Sequence, residues 1–162
     1  MKVSKRRRKE NKTDYLKRLK LLKSDKPRIV FRKTNKYIIA QYVLSKEAQD
    51  KVSFGITSKE LVKYGWPESA VGGLKSVTAS YLTGYLIGKT IIKKKLAEPI
   101  IDFGMIPALH KSKVFAFLKG VVDSGIKINC KKEAFPEEAR IKGEHLKNKI
   151  KFEDIKLKIN KE

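Results

Sequence analysis

Cysteine occurs once, at Cys130, so neither an internal disulfide nor a cysteine-based zinc site can form. Its thiol has no base nearby in sequence and reads as inert, which suits a reducing compartment. Histidine occurs twice, at His110 and His145, without a second ligand at metal-binding spacing. His110, followed by Lys111 and Lys113, reads as a surface or RNA-contacting residue, and His145 as part of a surface helix. There is no P-loop and no G-x-G-x-x-G; the Gly72-Gly73 pair merely precedes a helix. Asp102 and Asp123 are the one conceivable carboxylate pair, and each reads as an ordinary acidic residue at an element's end. The N-terminus is charged and lacks the apolar run of a secretory leader. The longest apolar stretch, SYLTGYLIGKTII, is broken by Gly88 and Lys89 and is too short to span a bilayer. These absences argue for a cytoplasmic protein without catalytic machinery, cofactor, metal or small-molecule substrate.

Acidic residues are also scarce, 17 against 39 Lys and Arg, which leaves a formal net charge of +22. That excess exceeds what solubility needs and opposes compaction by self-repulsion, so it implies a polyanionic partner. It is unevenly spread. Residues 1–36 hold 16 basic and 3 acidic residues, whereas the other 126 hold 23 and 14. The pattern is a basic arm on a body. With 162 residues, 41% of them hydrophobic, the body is one compact domain with tails.

Residues 1–12, MKVSKRRRKENK, show no apolar periodicity and are expected to be disordered without a partner. Thr13 is the expected N-cap of a helix with Asp14 and Tyr15 in its first turn. Leu16, Leu19 and Leu22 recur on one stripe of it and Lys17, Arg18, Lys20 and Lys23 cover the rest. Such a helix lies on nucleic acid or on a membrane; a stripe without Trp or Phe favours nucleic acid. Pro27 ends it. Strands follow over 28–33, 36–44 and 51–56, an antiparallel meander with its first turn at Thr34-Asn35. Residues 57–73 are broken by Gly65, Pro67 and Gly72-Gly73. A long helix is expected over 74–95, with Ser80, Gly84 and Gly88 on one ridge suited to close packing on the sheet. A fourth, parallel strand over 97–103 follows, then a helix over 113–124 burying Val114, Phe117, Leu118, Val121 and Val122 and ended by Gly125. Residues 126–129 suggest a short last strand, and 137–149 a surface helix before a basic end. The fold class is α/β, a mixed sheet with helices packed mainly on one face. The organisation is an arm and helix over 1–27, a core domain over 28–129 and an extension over 130–162.

The hairpin RIVFRKTNKYIIAQYV, residues 28–43, divides its side chains by alternation. With the turn at Thr34-Asn35, Arg32 faces Tyr37, Val30 faces Ile39 and Arg28 faces Gln41. The opposite face pairs Phe31 with Ile38 and Ile29 with Ala40 and extends to Tyr42. The second set is the core face. The first is basic and aromatic with amide capacity, which is the equipment for gripping phosphate, stacking bases and bonding 2′-hydroxyls.

RRRKENKTDYLKRLKLLKSDKPRIVFRKTNKYIIAQ (residues 6–41) closely resembles the start of the large-subunit ribosomal proteins that bind 5S rRNA, the universal eighteenth protein of that subunit, in its archaeal form. KYGWPE, SYLTGYLIGK and DFG…KVFAFLKGVVDSG resemble the same family in the same order, over about residues 4–128 and more weakly through RIKGEHL. The resemblance implies a noncatalytic ribosomal protein of the central protuberance. Its partners would be 5S rRNA, 23S-type rRNA and neighbouring ribosomal proteins. RNA contacts carried onto this chain fall on Lys5, Arg6, Arg7, Arg8, Lys9, Lys12, Thr13, Tyr15 and Arg18. They continue on Arg28, Arg32, Lys33, Asn35, Lys36, Tyr37 and Gln41, with Lys111 and Lys113 further on. The tail beyond residue 130 is shorter and more basic than the acidic C-terminal regions of some relatives, and the long extension of eukaryotic members is missing. Two other classes are kept: an RNA-modifying or RNA-processing enzyme with a basic arm, and a membrane-surface protein.

Overall fold

The computed structural model describes residues 3–47, 49–146 and 150–161. Its basic segment opens with a single turn, α1 (Arg6–Lys9), followed by α2 (Tyr15–Leu22). Asp14, not Thr13, caps α2: its carboxylate accepts from the backbone N–H groups of Leu16 and Lys17, where an anion also suits the helix dipole.

Strands β1 (Arg28–Lys33), β2 (Ile38–Lys46) and β3 (Gln49–Thr57) form the antiparallel meander, and β4 (Ile100–Asp102) joins it parallel to β1, in the order β3-β2-β1-β4. The hairpin turn sits one residue later than expected. Thr34 and Tyr37 bond across it, and the Thr34 hydroxyl accepts from the N–H groups of Lys36 and Tyr37. This hydroxyl-held turn moves the pairing by two residues, to Val30 opposite Gln41 and Arg32 opposite Ile39. A slip of two keeps every side chain on its face. Ile29, Phe31, Ile38, Ala40 and Tyr42 are accordingly all buried on the core side.

That core is closed by α3 (Val77–Lys93), capped by the Ser76 hydroxyl, and α4 (Lys113–Asp123). Phe31 meets the Phe117 ring at 4.8 Å and the Phe103 ring edge-on at 5.9 Å. The Ser80–Gly84–Gly88 ridge packs against α4, not against the sheet. A Cβ on Gly84 would fall on the Phe117 carbonyl, one on Gly88 on the Ser124 hydroxyl, and one on Gly120 on the Tyr81 carbonyl. The glycines therefore bring two helix backbones together. Between the helices and strands, Ser58–Tyr64 and Glu68–Gly73 form 3-10 turns that bury Leu61 and Trp66.

Residues 126–129 form no strand, although Ile126 is buried. The helix expected over 137–149 is α5 (Glu138–Lys142), stopped by Gly143 at φ +77°; residues 147–149 lie outside the described residues. A further helix, α6 (Phe152–Lys161), buries Phe152, Ile155 and Ile159 in the main core. The Tyr85 hydroxyl donates to Asn160 Oδ1 at 2.6 Å and fixes its end.

Candidate nucleic-acid interface

Lys5, Arg6, Arg7, Arg8, Lys9 and Lys12 are all exposed around the α1 turn. Two carboxylates moderate them. Glu10 lies 2.8 Å from Lys12 and 3.8 Å from Arg6, and Asp14 lies 4.0 Å from Arg8. Exposed pairs of this kind contribute about 0–1 kcal/mol each, so they orient the arm more than they neutralise it. Arg7 Nε donates to the Thr13 hydroxyl at 2.9 Å, which folds the arm back on the start of α2. The Lys5 ammonium lies 4.6 Å above the Tyr15 ring, so Tyr15 already serves as a cation seat.

Helix α2 lies beside the outer face of the sheet. Lys17 Nζ donates to the Gly104 carbonyl at 3.0 Å and Arg18 donates to Asp50 at 2.9 Å. Leu16 and Leu19 are 65% and 52% exposed, while Leu21 and Leu22 are half-buried. Two of the three leucines of the expected stripe, Leu16 and Leu19, thus point away from the body, and Leu22 does not. Arm, helix and sheet enclose a crevice of about 120 Å³, bordered by Arg7, Lys12, Lys17, Arg18 and Arg32 with Asp14 and Asp102. Five cations against two carboxylates give it a positive potential.

Arg28 departs from the sequence reading. It shares the outer face, but it is 1% exposed. Its guanidinium donates to Asp50 at 2.7 Å, to Ser45 at 2.9 Å and to Asp102 at 3.3 Å. Alternation places a side chain on a face; it does not say what covers that face. Here the Asp50–Arg18 link and the β4 edge close over Arg28. Burial raises the Asp50 carboxyl, but hydrogen bonds from Arg18 and Ser45 and the charges of Arg28 and Arg18 outweigh it, and the net shift is downward. Asp102, read from sequence as unremarkable, is a buried acceptor for Arg28, Arg32 and the Gly104 N–H.

The other half of the face is open. The Arg32 side chain is 44% exposed, and its guanidinium bonds to the carbonyls of Phe31 and Asp102 at 2.7 and 3.2 Å. It stacks closely over Gly104, where a Cβ would lie 3.0 Å from it. Gln41 is half-buried beside Gly55, Tyr37 carries the Lys59 ammonium 4.6 Å above its ring, and Asn35 and Lys36 project at the hairpin tip. Lys17 and Lys59 were not singled out from sequence. Lys17 was visible only as one of several lysines on α2, and Lys59 lies in a stretch with no periodic signal.

Lys111 is exposed and pairs with Glu137 at 3.1 Å. Alternation sets Lys33 on the helix side of the sheet, with Ile29 and Phe31, and Lys113 opens α4. Neither belongs to the outer face. His110 rests on the Phe115 ring edge, and His145 is exposed. Burial pushes the Cys130 thiol up, away from reactive thiolate. Asp123, like Asp102, has a structural partner: it accepts from the Tyr81 hydroxyl at 2.7 Å. Burial, followed by this bond and charge, raises the Tyr81 phenol. Among the described residues no group of His, Cys, Asp and Glu could hold a metal ion, and no helix is long and apolar enough to cross a membrane.

Residues 1–100 match the family described as ribosomal large subunit proteins 60S L5 and 50S L18. The chain is 50% identical over 145 residues to the large ribosomal subunit protein uL18 of Korarchaeum cryptofilum, covering 90% of this chain and 72% of that one. It is 42% and 41% identical to the proteins of the same name from Methanothermobacter thermautotrophicus and Methanosphaera stadtmanae, each over 90% of this chain and 73% of theirs.

Proposed function

The chain belongs to the family of ribosomal large subunit proteins 60S L5 and 50S L18, and from that premise we propose that it binds 5S rRNA through its arm and the open half of its outer sheet face, helping attach that RNA to the large rRNA at the central protuberance. It is a structural component of the large ribosomal subunit, works in the ribosome in the cytoplasm, and is not an enzyme. Its partners are rRNA and ribosomal proteins. The observation that supports the 5S reading is the positive crevice where arm, α2 and sheet converge, bordered by Arg32, with Gln41 on the same sheet face.

The division of labour follows from chemistry. Lys5, Arg6, Arg7, Arg8, Lys9 and Lys12 take phosphates, releasing counterions. Thr13, Tyr15 and Arg18 hold the arm to α2 and the sheet beside that backbone. Arg32, Asn35, Lys36, Tyr37 and Gln41 supply planar, amide and aromatic contacts to bases and 2′-hydroxyls. Arg28 is withdrawn from this set by its burial.

The test is competitive binding of 5S rRNA against bulk tRNA. Wild-type protein prefers 5S rRNA. Arg6→Ala/Arg7→Ala/Arg8→Ala flattens the salt dependence by about 0.7–0.9 log units per lost phosphate contact. Arg32→Ala and Tyr37→Ala lower the preference for 5S rRNA. Wild-type selectivity in both sheet variants removes the sheet face from recognition.

A further inference from the structure

Strands β1 and β4 are parallel, and α3 is the crossover that leads from β3, which runs in the same direction, to β4. Helices α3 and α4 also run parallel to each other: the Ser80 hydroxyl donates to the Lys113 carbonyl at 2.6 Å, Gly84 faces Phe117 and Gly88 faces Ser124. Two strand carboxyl ends and two helix N-termini therefore meet along one edge of the molecule. In open α/β sheets this edge is where ligands bind.

Three lysines are collected there. Lys33 ends β1, Lys75 precedes the Ser76 cap of α3, and Lys113 is the first residue of α4. No carboxylate among the described residues forms an ion pair with any of them, whereas nearby Lys111 and Lys119 are both paired. The first turns of α3 and α4 contain no acidic residue. Ser112 makes no capping bond to α4, and its buried hydroxyl has no partner. Lysines at helix N-termini oppose the macrodipole, so this placement destabilises the free protein. Burial first, then the charges of Lys33 and Lys75, lower the Lys113 ammonium, as expected of like charges without a counterion.

We infer that Lys33, Lys75 and Lys113 form a second phosphodiester seat, which grips the rRNA backbone from the helix side of the sheet edge while the arm grips RNA from the outer side. The inference rests on the RNA-binding reading and adds to it a site that neither the arm nor the hairpin face contains. Successive backbone phosphates there would offset the lysine charges, and one of them would accept from the uncapped N–H groups of α4, turning an arrangement that repels itself into a bound one.

The experiment compares full-length wild type with Lys33→Gln/Lys75→Gln/Lys113→Gln, on 5S rRNA, on a large-subunit rRNA fragment and on tRNA. The triple variant is expected to lose about 0.7–0.9 in salt slope per phosphate contact, roughly two in total, on at least one ribosomal RNA. Its Tm at low salt is expected to rise, which excludes unfolding as the cause. Wild-type slopes on all three RNAs overturn the seat while leaving the arm's role intact. If wild type shows no preference for 5S rRNA over tRNA, the 5S assignment fails instead. The seat is then judged on tRNA alone, where a shallower slope upholds it and an unchanged slope overturns it.

Discussion

A guanidinium as deeply enclosed as that of Arg28 must place its donors on acceptors or bear their desolvation. Asp50, Asp102 and Ser45 take the two terminal nitrogens, and Nε alone has no partner. The cluster ties β1 to β3 and β4, and Arg18 extends it to α2. Arg28→Met leaves Asp102 buried without its closest cation and is expected to destabilise the fold by about 3–5 kcal/mol in urea unfolding. The salt slope of RNA binding should stay at the wild-type value where the variant is folded, because Arg28 touches no RNA in this account. A slope reduced by one contact would restore it to the interface. Asp50 adds a pH signature. Its folded pKa is below the ordinary carboxylate value, so its stabilisation is present above that value and is lost as pH falls through the folded one. Wild type should lose Tm below about pH 4 more steeply than Asp50→Asn. Alternation alone placed Arg28, Val30 and Arg32 on one face. What it could not convey is that Asp102, 74 residues further on, would reach back to Arg28.

The α3–α4 seam governs packing between elements. At Gly84 and Gly120 an added methyl meets backbone carbonyls, which cannot rotate aside as a flexible side chain would. Gly84→Ala should cost about 1–3 kcal/mol or more from overpacking, despite the roughly 0.5–1 kcal/mol by which alanine favours a helix interior. Gly72→Ala is the control: nothing lies within 4 Å of its would-be Cβ, so its effect should stay within about 0.5 kcal/mol. Equal stabilities of Gly84→Ala and Gly72→Ala would show that the seam has slack. The four-residue spacing of Ser80, Gly84 and Gly88 was readable as a close-packing ridge, but its partner was not. Small residues announce close approach without naming the surface that approaches. Helix α6 differs, because its signal was present: Phe152, Ile155 and Ile159 recur at helical spacing. The dense lysines between them masked the pattern, and the docking that buries them depends on Tyr81 and Tyr85 of α3.

For the whole molecule, the decisive quantity is a net charge of +22 on 162 residues. The mixed sheet, its parallel fourth strand and the helix-covered face were all readable from periodicity and connection lengths. The folding of α2 beside the outer face was not, because a basic helix with exposed leucines carries no local sign of what it lies on. The charge makes a prediction that separates folding from binding. At an ionic strength of 0.1 M the Debye length is about 10 Å, so salt screens repulsion between the arm, the outer face and the lysine edge. The Tm of the free protein should therefore rise as NaCl is raised from about 50 to 500 mM, while affinity for RNA falls over the same range. RNA should reproduce the stabilisation at low salt by binding the folded state, contributing about 2.7 kcal/mol at a hundredfold excess over Kd. Salt and RNA would then substitute for one another, and their effects on Tm should be less than additive. A Tm that falls steadily with salt in the absence of RNA would mean that local ion pairs such as Arg18–Asp50 outweigh the net repulsion, and the charge excess would lose its standing as the mark of a protein whose stability is completed by its nucleic acid.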